Sequence, residues 1–239
     1  MKILILGGSG MLGSECKEVL GRRHEIITPD RESLNIVSWD QVIDRLQQIS
    51  PEIVLNCAGF TDVDASEEED FAVRKINVEG PRNLAQGAAR FGSKLGWLYS
   101  RGGSNFIKAI LSAALKLRNS ALKVVDDQFG SPTWTYRVAH QIEALLNRGG
   151  RGTYHATSEG FCSKFEWAAF VVEKLGLKVP VEPCKTEDFP TPARRPVNSI
   201  LENRLLKKQG INVMRDWKED LNEFLDLYGE DLIKEASRD

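Results

Sequence analysis

The apolar residues of this chain fall into two patterns: short continuous runs, and runs with helical spacing. Lys2–Leu6, Glu25–Thr28 and Ile53–Cys57 are short apolar runs, which are typical of buried strands. One helix is predicted to begin near Met11 and a second to span Trp39–Ile49, because apolar side chains recur there every three or four residues. This β-α-β-α-β order, with right-handed crossovers, predicts an α/β fold with a doubly wound parallel sheet of the Rossmann type.

The pattern continues beyond the third strand and then changes character near residue 150. The further predicted elements are a helix from about Phe71 to Arg90, a strand Leu95–Tyr99, a helix Asn105–Leu117, a strand Leu122–Asp126, a helix Thr135–Leu146, a strand Thr153–Ala156, a helix Lys164–Leu175, a strand Val179–Cys184 and a polar helix from Trp217. We therefore predict a cofactor-binding domain over residues 1–150 and a smaller C-terminal substrate-binding region over residues 151–239.

Three glycines at a spacing of three follow the first strand, in the sequence KILILGGSGMLG. Gly7 permits a tight turn, Gly10 lets the backbone approach a pyrophosphate, and Gly13 lets the following helix pack closely on the strand. The N–H groups at the start of that helix, near Met11, would hold the anion. Because a strand precedes the glycines and an amphipathic helix follows them, we predict a dinucleotide site rather than a plain glycine-rich turn.

Other candidate cofactor contacts lie at the ends of the second and third strands. Asp30 is placed to accept a hydrogen bond from an adenosine ribose hydroxyl, whereas Arg31 suits a 2′-phosphate. The pair is therefore compatible with NADH and with NADPH, and also with two solvated turn residues. Ala58 and Gly59 are small enough for close passage of the cofactor, and the hydroxyl of Thr61 lies just beyond them.

The composition indicates which partners, location and metal sites are expected for this protein. With 32 Lys and Arg against 34 Asp and Glu, the 239 residues carry a formal charge of -2, so no nucleic acid or anionic membrane is implied as a partner. No apolar run is long enough to span a membrane, and the four separated cysteines are expected to be buried free thiols rather than disulfides or metal ligands. We expect a cytoplasmic protein without a metal site. The sequence does not distinguish a monomer from a homodimer.

Several longer stretches resemble the dTDP-4-dehydrorhamnose reductases, a family of extended short-chain dehydrogenase/reductases. Besides the glycine turn, they are LNCAGFTDVDASEEED (55–70), INVEGPRNLA (76–85), GWLYSRGGSNF (96–106), VVDDQFGSPT (124–133), GTYHATSEG (152–160) and FPTPARRPVNSIL (189–201). The resemblance spans nearly the whole chain. It implies reduction of the C4 keto group of dTDP-4-dehydro-L-rhamnose by NADPH or NADH, which gives dTDP-L-rhamnose, a precursor of surface polysaccharide.

The resemblance also assigns roles to individual residues. It implies that the pyrophosphate is held by Gly7, Gly10, Met11, Leu12 and Gly13, that Asp30 and Arg31 lie at the adenosine end, and that Ala58, Gly59 and Thr61 line the cofactor path. Trp97 and Asn105 match positions near the sugar nucleotide, while Gln128 and Arg195 are expected to bind its polar groups or diphosphate. Trp97 is equally compatible with a core position, and Arg195 with a residue that braces a loop.

The proton donor of the superfamily is absent from this sequence. Reduction of a ketone needs a general acid at the forming alkoxide, and the superfamily uses a tyrosine whose pKa is lowered by a lysine four residues later. The four tyrosines here are followed at that position by Gly103, His140, Ser158 and Leu232. The family's Ser/Thr-Thr-Asp-Tyr-Val-Phe strand is also missing. Both would fall between Phe91 and Gly96, and we expect the loss to leave strand one without a neighbour.

Two explanations are open. In the first, the 239 residues omit a segment of the polypeptide, Ser93-Lys94-Leu95 is the remnant of the family's Tyr-Gly-x-Ser-Lys-Leu helix, and Lys94 is the catalytic lysine. In the second, the deletion is real, Lys94 is a surface lysine, and the protein is at best a cofactor binder. We favour the first. Function therefore has two alternatives to the reductase: an NADP-binding regulatory protein like the beta subunit of methionine adenosyltransferase, and a reductase or epimerase for another nucleotide sugar.

Overall fold

The computed structural model describes residues 1–87, 98–117 and 120–238, and the backbone alone of residues 92–94. These residues group into two compact units. The first comprises Met1–Gly92, Leu146–Thr153 and Thr191–Ala193, and the second comprises the remaining segments. The division lies near Gly92, whereas the division into cofactor and substrate regions is predicted at residue 150. The observed units are defined by compactness, whereas the division predicted at residue 150 is defined by which ligand each part binds. That predicted division stays a prediction.

A parallel sheet with the strand order β2-β1-β3 forms the centre of the first unit. Its strands are β1 (Lys2–Leu6), β2 (Glu25–Ile27) and β3 (Ile53–Asn56), each within a residue of its predicted end. The side chains of Ile3 to Leu6 are almost completely buried because β1 lies between two strands and beneath helices. The predicted Rossmann-type α/β architecture is confirmed for this unit.

The expectation that strand one would lack a neighbour is wrong. β1 pairs along its length with β2 on one side and with β3 on the other, in the register Ile3↔Ile53 to Leu6↔Asn56. The unpaired edge belongs to β3 instead. Among the described residues no strand pairs with the outer edge of β3, and all four of its residues are partly exposed although three of them are aliphatic.

The start of α1 and both ends of α2 agree with the sequence prediction. α1 (Met11–Gly21) starts directly after Gly10, and α2 (Trp39–Ile49) is capped by Ser38, whose hydroxyl accepts a hydrogen bond from the Gln41 N–H. The helix predicted from Phe71 differs: it is divided into α4 (Asp70–Arg74), a π-helical turn (Lys75–Glu79) and α5 (Gly80–Gly87). A short helix α3 (Ala65–Glu68) precedes them.

The later elements match the predicted order with added short strands. They are β4 (Gly92–Lys94), β5 (Leu98–Tyr99), α6 (Phe106–Lys116), β6 (Leu122–Val125), β7 (Phe129–Gly130), β8 (Thr133–Trp134), α7 (Thr135–Asn147), β9 (Thr153–His155), β10 (Cys162–Ser163), α8 (Lys164–Lys174), β11 (Val181–Cys184), a 3-10 turn (Thr186–Asp188), α9 (Arg204–Lys208) and α10 (Trp217–Ala236). The core of the second unit is aromatic, with Tyr99, Trp134, Trp167 and Phe224 almost completely buried.

Three expectations drawn from the composition concern cysteines, membrane spans and metal ligands. All four cysteines are free thiols. Cys16 and Cys162 are buried, whereas Cys57 and Cys184 are partly exposed, so the expectation of burial is wrong for these two. In the described residues we find no helix long and apolar enough to cross a membrane. The same residues contain no group of three or more potential metal ligands.

Candidate functional site

The turn after β1 can be built only from glycines at two of its three predicted positions. Gly7 has a φ of +71°, and a Cβ there would lie 2.7 Å from the Ala58 nitrogen. A Cβ on Gly13 would lie 2.1 Å from the Gly7 carbonyl oxygen, because α1 starts in direct contact with the turn. Gly10 is different: its Cβ would meet only the Gly7 oxygen, at 3.3 Å. Its side-chain position therefore faces open space.

That open space is a cavity of about 590 Å³ at the carboxyl end of the sheet. Six of the ten predicted cofactor residues line it: Gly7, Gly10, Asp30, Arg31, Ala58 and Gly59. Met11, Leu12 and Gly13 form the first turn of α1 behind the wall, and Thr61 lies beyond the lining residues on an exposed loop. The predicted contacts of these four residues stay predictions. The volume lies in the range of small-molecule sites.

The charges around this cavity favour an anion. α1 begins at its wall, no side chain caps the helix, and its first turn carries no acidic residue. The first N–H groups of a helix lack partners within the helix, so they are oriented to donate to a bound anion. Arg31 and Lys17 also line the cavity. Lys17 was not among the predicted cofactor residues, although it lies two turns into the predicted helix from Gly10.

Asp30 carries out a local structural role as well. Its carboxylate accepts a hydrogen bond from the Ser33 N–H at 2.8 Å, and the contacts with Ser33 lower the pKa of this exposed carboxyl. Asp30 is therefore ionised and holds the turn that follows β2. Its remaining acceptor capacity is compatible with a ribose hydroxyl.

Two asparagines that the sequence analysis did not single out fix the loops of the cavity wall. The Asn77 side-chain amide accepts from the Phe60 N–H at 2.8 Å and donates to the Phe60 carbonyl at 3.0 Å. Asn83 donates to the carbonyls of Ile36 and Val37 at 3.0 and 3.1 Å. A weak signal existed, since asparagine is an unfavourable residue inside a helix and both lie within the predicted helix from Phe71. Asn77 lies in the π-helical turn, a feature frequent at functional sites.

The predicted substrate residues of the second unit have defined local partners. Asn105 caps α6 by accepting from the Lys108 N–H, and its amide donates to the Ser100 carbonyl at 2.9 Å. Gln128 is buried and donates to the Thr186 hydroxyl at 3.1 Å. Arg195 is partly exposed. Trp97 lies outside the described residues, as does the side chain of Lys94, so their predicted roles stay predictions.

Comparison with known proteins assigns the family. The sequence model of the RmlD substrate binding domain matches residues 1–96 and, as a second segment, residues 94–229. The chain belongs to this RmlD family. The spore coat polysaccharide biosynthesis protein SpsK of Bacillus subtilis (strain 168) is 28% identical over 277 residues, covering 94% of this chain and 96% of SpsK. The predicted family is therefore confirmed.

Two solved structures show the same fold with similar coverage. A dTDP-4-dehydrorhamnose reductase from Clostridium acetobutylicum is 31% identical, with a TM-score of 0.88 over 96% of this chain and all of the other. A dTDP-4-dehydrorhamnose reductase from Bacillus anthracis str. Ames, solved in complex with NADP, is 28% identical, with a TM-score of 0.87 over 94% of this chain and 98% of the other. The Rossmann-type fold of this RmlD-family chain is thus shared with reductases.

The family match also locates a discontinuity. Its two segments meet at residues 94–96. The alignment with SpsK runs over 277 residues, more than the 239 of this chain, so SpsK contains residues with no counterpart here. The break in the RmlD match therefore coincides with the position of the predicted missing segment.

Proposed function

We propose that the protein is an NAD(P)H-dependent reductase that converts the C4 keto group of dTDP-4-dehydro-L-rhamnose to a hydroxyl, giving dTDP-L-rhamnose. The observation that carries the proposal is the cavity at the glycine turn, in a chain whose RmlD-family match continues through the second unit to residue 229. The two dTDP-4-dehydrorhamnose reductases of similar fold support the same reaction. We also propose a cytoplasmic location, because all four cysteines are free thiols.

The residues of the cavity fit a dinucleotide. Because Gly10 has no side chain, it leaves the adjoining part of the cavity open, whereas a larger residue would fill it. The uncapped start of α1 offers N–H groups to a pyrophosphate. Asp30 suits a ribose hydroxyl, whereas Arg31 and Lys17 suit a 2′-phosphate. We therefore expect both cofactors to bind, with NADPH preferred. When bound, the nicotinamide supplies a hydride to the carbonyl carbon of the sugar.

The protein's own residues would orient the reactants. Ala58 and Gly59 let the cofactor pass close to the backbone, and Asn77 holds Phe60 in place beside them. In the second unit, we assign Gln128 and Arg195 to the polar groups and diphosphate of the sugar nucleotide. The alkoxide that forms at C4 must receive a proton. We assign that proton to a tyrosine in the predicted missing segment, with Lys94 lowering the pKa of that tyrosine.

A second candidate function is binding of the cofactor without catalysis. It is favoured by the tyrosines of this chain, since none of the four is followed by lysine at the fourth position. Tyr99 is fully buried, and burial raises the pKa of its hydroxyl well above the ordinary value, which makes this hydroxyl a weaker proton donor. The hydroxyl of Tyr154 donates to the Gln209 side chain at 3.0 Å. A protein that binds the cofactor without catalysis would act as a regulator of a partner chain.

The two functions are separated by one assay with two readouts. We would titrate the protein with NADPH, then add dTDP-4-dehydro-L-rhamnose and follow both loss of NADPH absorbance and formation of dTDP-L-rhamnose. The proposal predicts binding and equimolar turnover, and no binding by Gly10→Val, whose side chain enters the cavity. Tight NADPH binding without turnover by the complete polypeptide would support the non-catalytic function. Absence of NADPH binding would exclude both.

A further inference from the structure

Lys164 is a charged residue in an unfavourable environment. It is the first residue of α8 and is only partly exposed. Burial, followed by the nearby positive charge of Arg195, lowers the pKa of its ammonium group to about 8. A cation is also disfavoured by the helix dipole at the first turn of a helix. The start of α8 is capped by Ser163 and Glu166, which form a capping box, so Lys164 is not its capping residue.

Three short backbone segments bring Lys164 and Arg195 to the same end of a small ladder. β10 is antiparallel to β7, and the Lys164 N–H donates to the Gln128 carbonyl at 3.2 Å. On the other side of β7, the Phe129 N–H donates to the Val197 carbonyl at 2.8 Å. Gln128 therefore lies between the chain at Lys164 and the chain that leads from Arg195.

An aromatic platform holds the ammonium group of Lys164. Its Nζ lies 4.4 Å from the centre of the Phe106 ring, which is a cation–π contact. The Phe106 ring in turn packs on Trp167, with 4.6 Å between the ring centres. Because Trp167 is buried in the core, the platform is fixed, and the position of the lysine charge is restricted before any ligand binds.

We propose that Lys164 acts with Arg195 as a two-cation site for the diphosphate of the nucleotide sugar. This inference rests on the proposed function, since the diphosphate is that of the dTDP-sugar. An anion between two like charges removes their mutual repulsion and replaces the lost hydration of the lysine. The planar guanidinium of Arg195 suits two-pronged binding of one phosphate, while Lys164 acts as a point charge. Lys164 is a residue that the sequence analysis did not single out.

The test compares binding of dTDP, inorganic diphosphate and NADPH to three variants by calorimetry. Lys164→Met keeps the apolar stem over Phe106 and removes the charge, Lys164→Arg restores a charge, and Lys178→Met removes an exposed charge as the matched control. We expect Lys164→Met to weaken dTDP binding about tenfold or more, because a hydrogen bond to a charged group is lost. The Kd for NADPH should stay unchanged, and Lys164→Arg should recover most of the dTDP affinity.

A structural role for Lys164 predicts a different set of results. Removing a disfavoured charge should leave the melting temperature of Lys164→Met equal or higher, whereas loss of a structural lysine would lower it. A folded Lys164→Met protein with wild-type dTDP affinity would overturn the inference and leave the proposed function intact. Equal weakening of dTDP and NADPH would also overturn it, by assigning the pair to the cofactor. A wild-type protein that binds no dTDP would refute the proposed function itself, and the inference with it.

Discussion

Replacing Gly13 with alanine should destabilise the protein, because the new side chain would collide with the backbone of the preceding turn. The new Cβ would lie 2.1 Å from the Gly7 oxygen, 2.7 Å from the Gly7 carbonyl carbon and 2.9 Å from the Gly8 Cα. All three are backbone atoms, so no side chain can rotate away. Since such atoms pack at about 3.5 Å, α1 would have to move away from the turn by about 1 Å.

Two opposing effects determine how far Gly13→Ala changes the free energy of unfolding. Alanine is favoured over glycine inside a helix by about 1 kcal/mol, while overpacking of this kind costs about 3 kcal/mol. We therefore expect a net loss of about 2 kcal/mol in the free energy of unfolding, measured by urea denaturation. Gly21→Ala at the other end of α1 is the control, because its Cβ would meet only the Ile26 side chain, at 3.7 Å.

The Gly10→Val variant distinguishes an effect on cofactor binding from an effect on the stability of the fold. Gly10 has a φ of -75° and a ψ of 170°, which valine adopts readily, so its unfolding free energy should change by less than about 1 kcal/mol. NADPH binding, followed by fluorescence titration, should nevertheless be lost. Wild-type stability of Gly13→Ala, or wild-type NADPH affinity of Gly10→Val, would refute the assignment of these glycines.

The remaining predictions concern charge and chain length. Arg31→Ala should abolish the preference for NADPH over NADH in titrations, with Lys17→Ala reducing it; an unchanged affinity ratio would make the arginine a surface residue. Arg195→Ala should weaken dTDP-sugar binding much more than NADPH binding, whereas equal losses would indicate misfolding. Because the pKa of Lys164 in the folded protein is about 8 and its ordinary value is 10.5, the unfolded chain binds more protons between these pH values. The unfolding free energy should therefore rise with pH across that window, and Lys164→Met should flatten the slope. Finally, the intact mass of the polypeptide should exceed 26.8 kDa, with the additional residues between Gly92 and Gly96 and peptides containing Tyr-x-x-x-Lys; a mass of 26.8 kDa would favour the non-catalytic function.

The elements around the cofactor cavity could be predicted because their signals are local. A strand followed by three glycines and an amphipathic helix leaves few alternatives, and the observed α2 (Trp39–Ile49) has the predicted bounds. The hydrogen bonds that join Asn77, in the π-helical turn, to Phe60 could not be predicted, because the two residues lie seventeen positions apart in the chain.

The pairing of the strands and the surroundings of Lys164 could not be predicted either. Both depend on contacts between segments that are distant in the sequence. Which strand lies beside β1 is decided by contacts between distant segments, and β3 fills the place that was predicted to be empty. The closeness of Lys164 to Arg195 depends on β7 lying between two segments more than thirty residues apart in the chain. Neither the spacing nor the type of these residues indicates that arrangement.

Reduction of a dTDP-4-keto sugar with NADPH is the activity that we propose for this RmlD-family protein. The most direct test is to supply the complete polypeptide with NADPH and dTDP-4-dehydro-L-rhamnose and to quantify dTDP-L-rhamnose by chromatography against NADPH consumed. We expect one dTDP-L-rhamnose to form for each NADPH oxidised, and none to form with the Gly10→Val variant. Bound NADPH that is not consumed, with the keto sugar recovered unchanged, would contradict it.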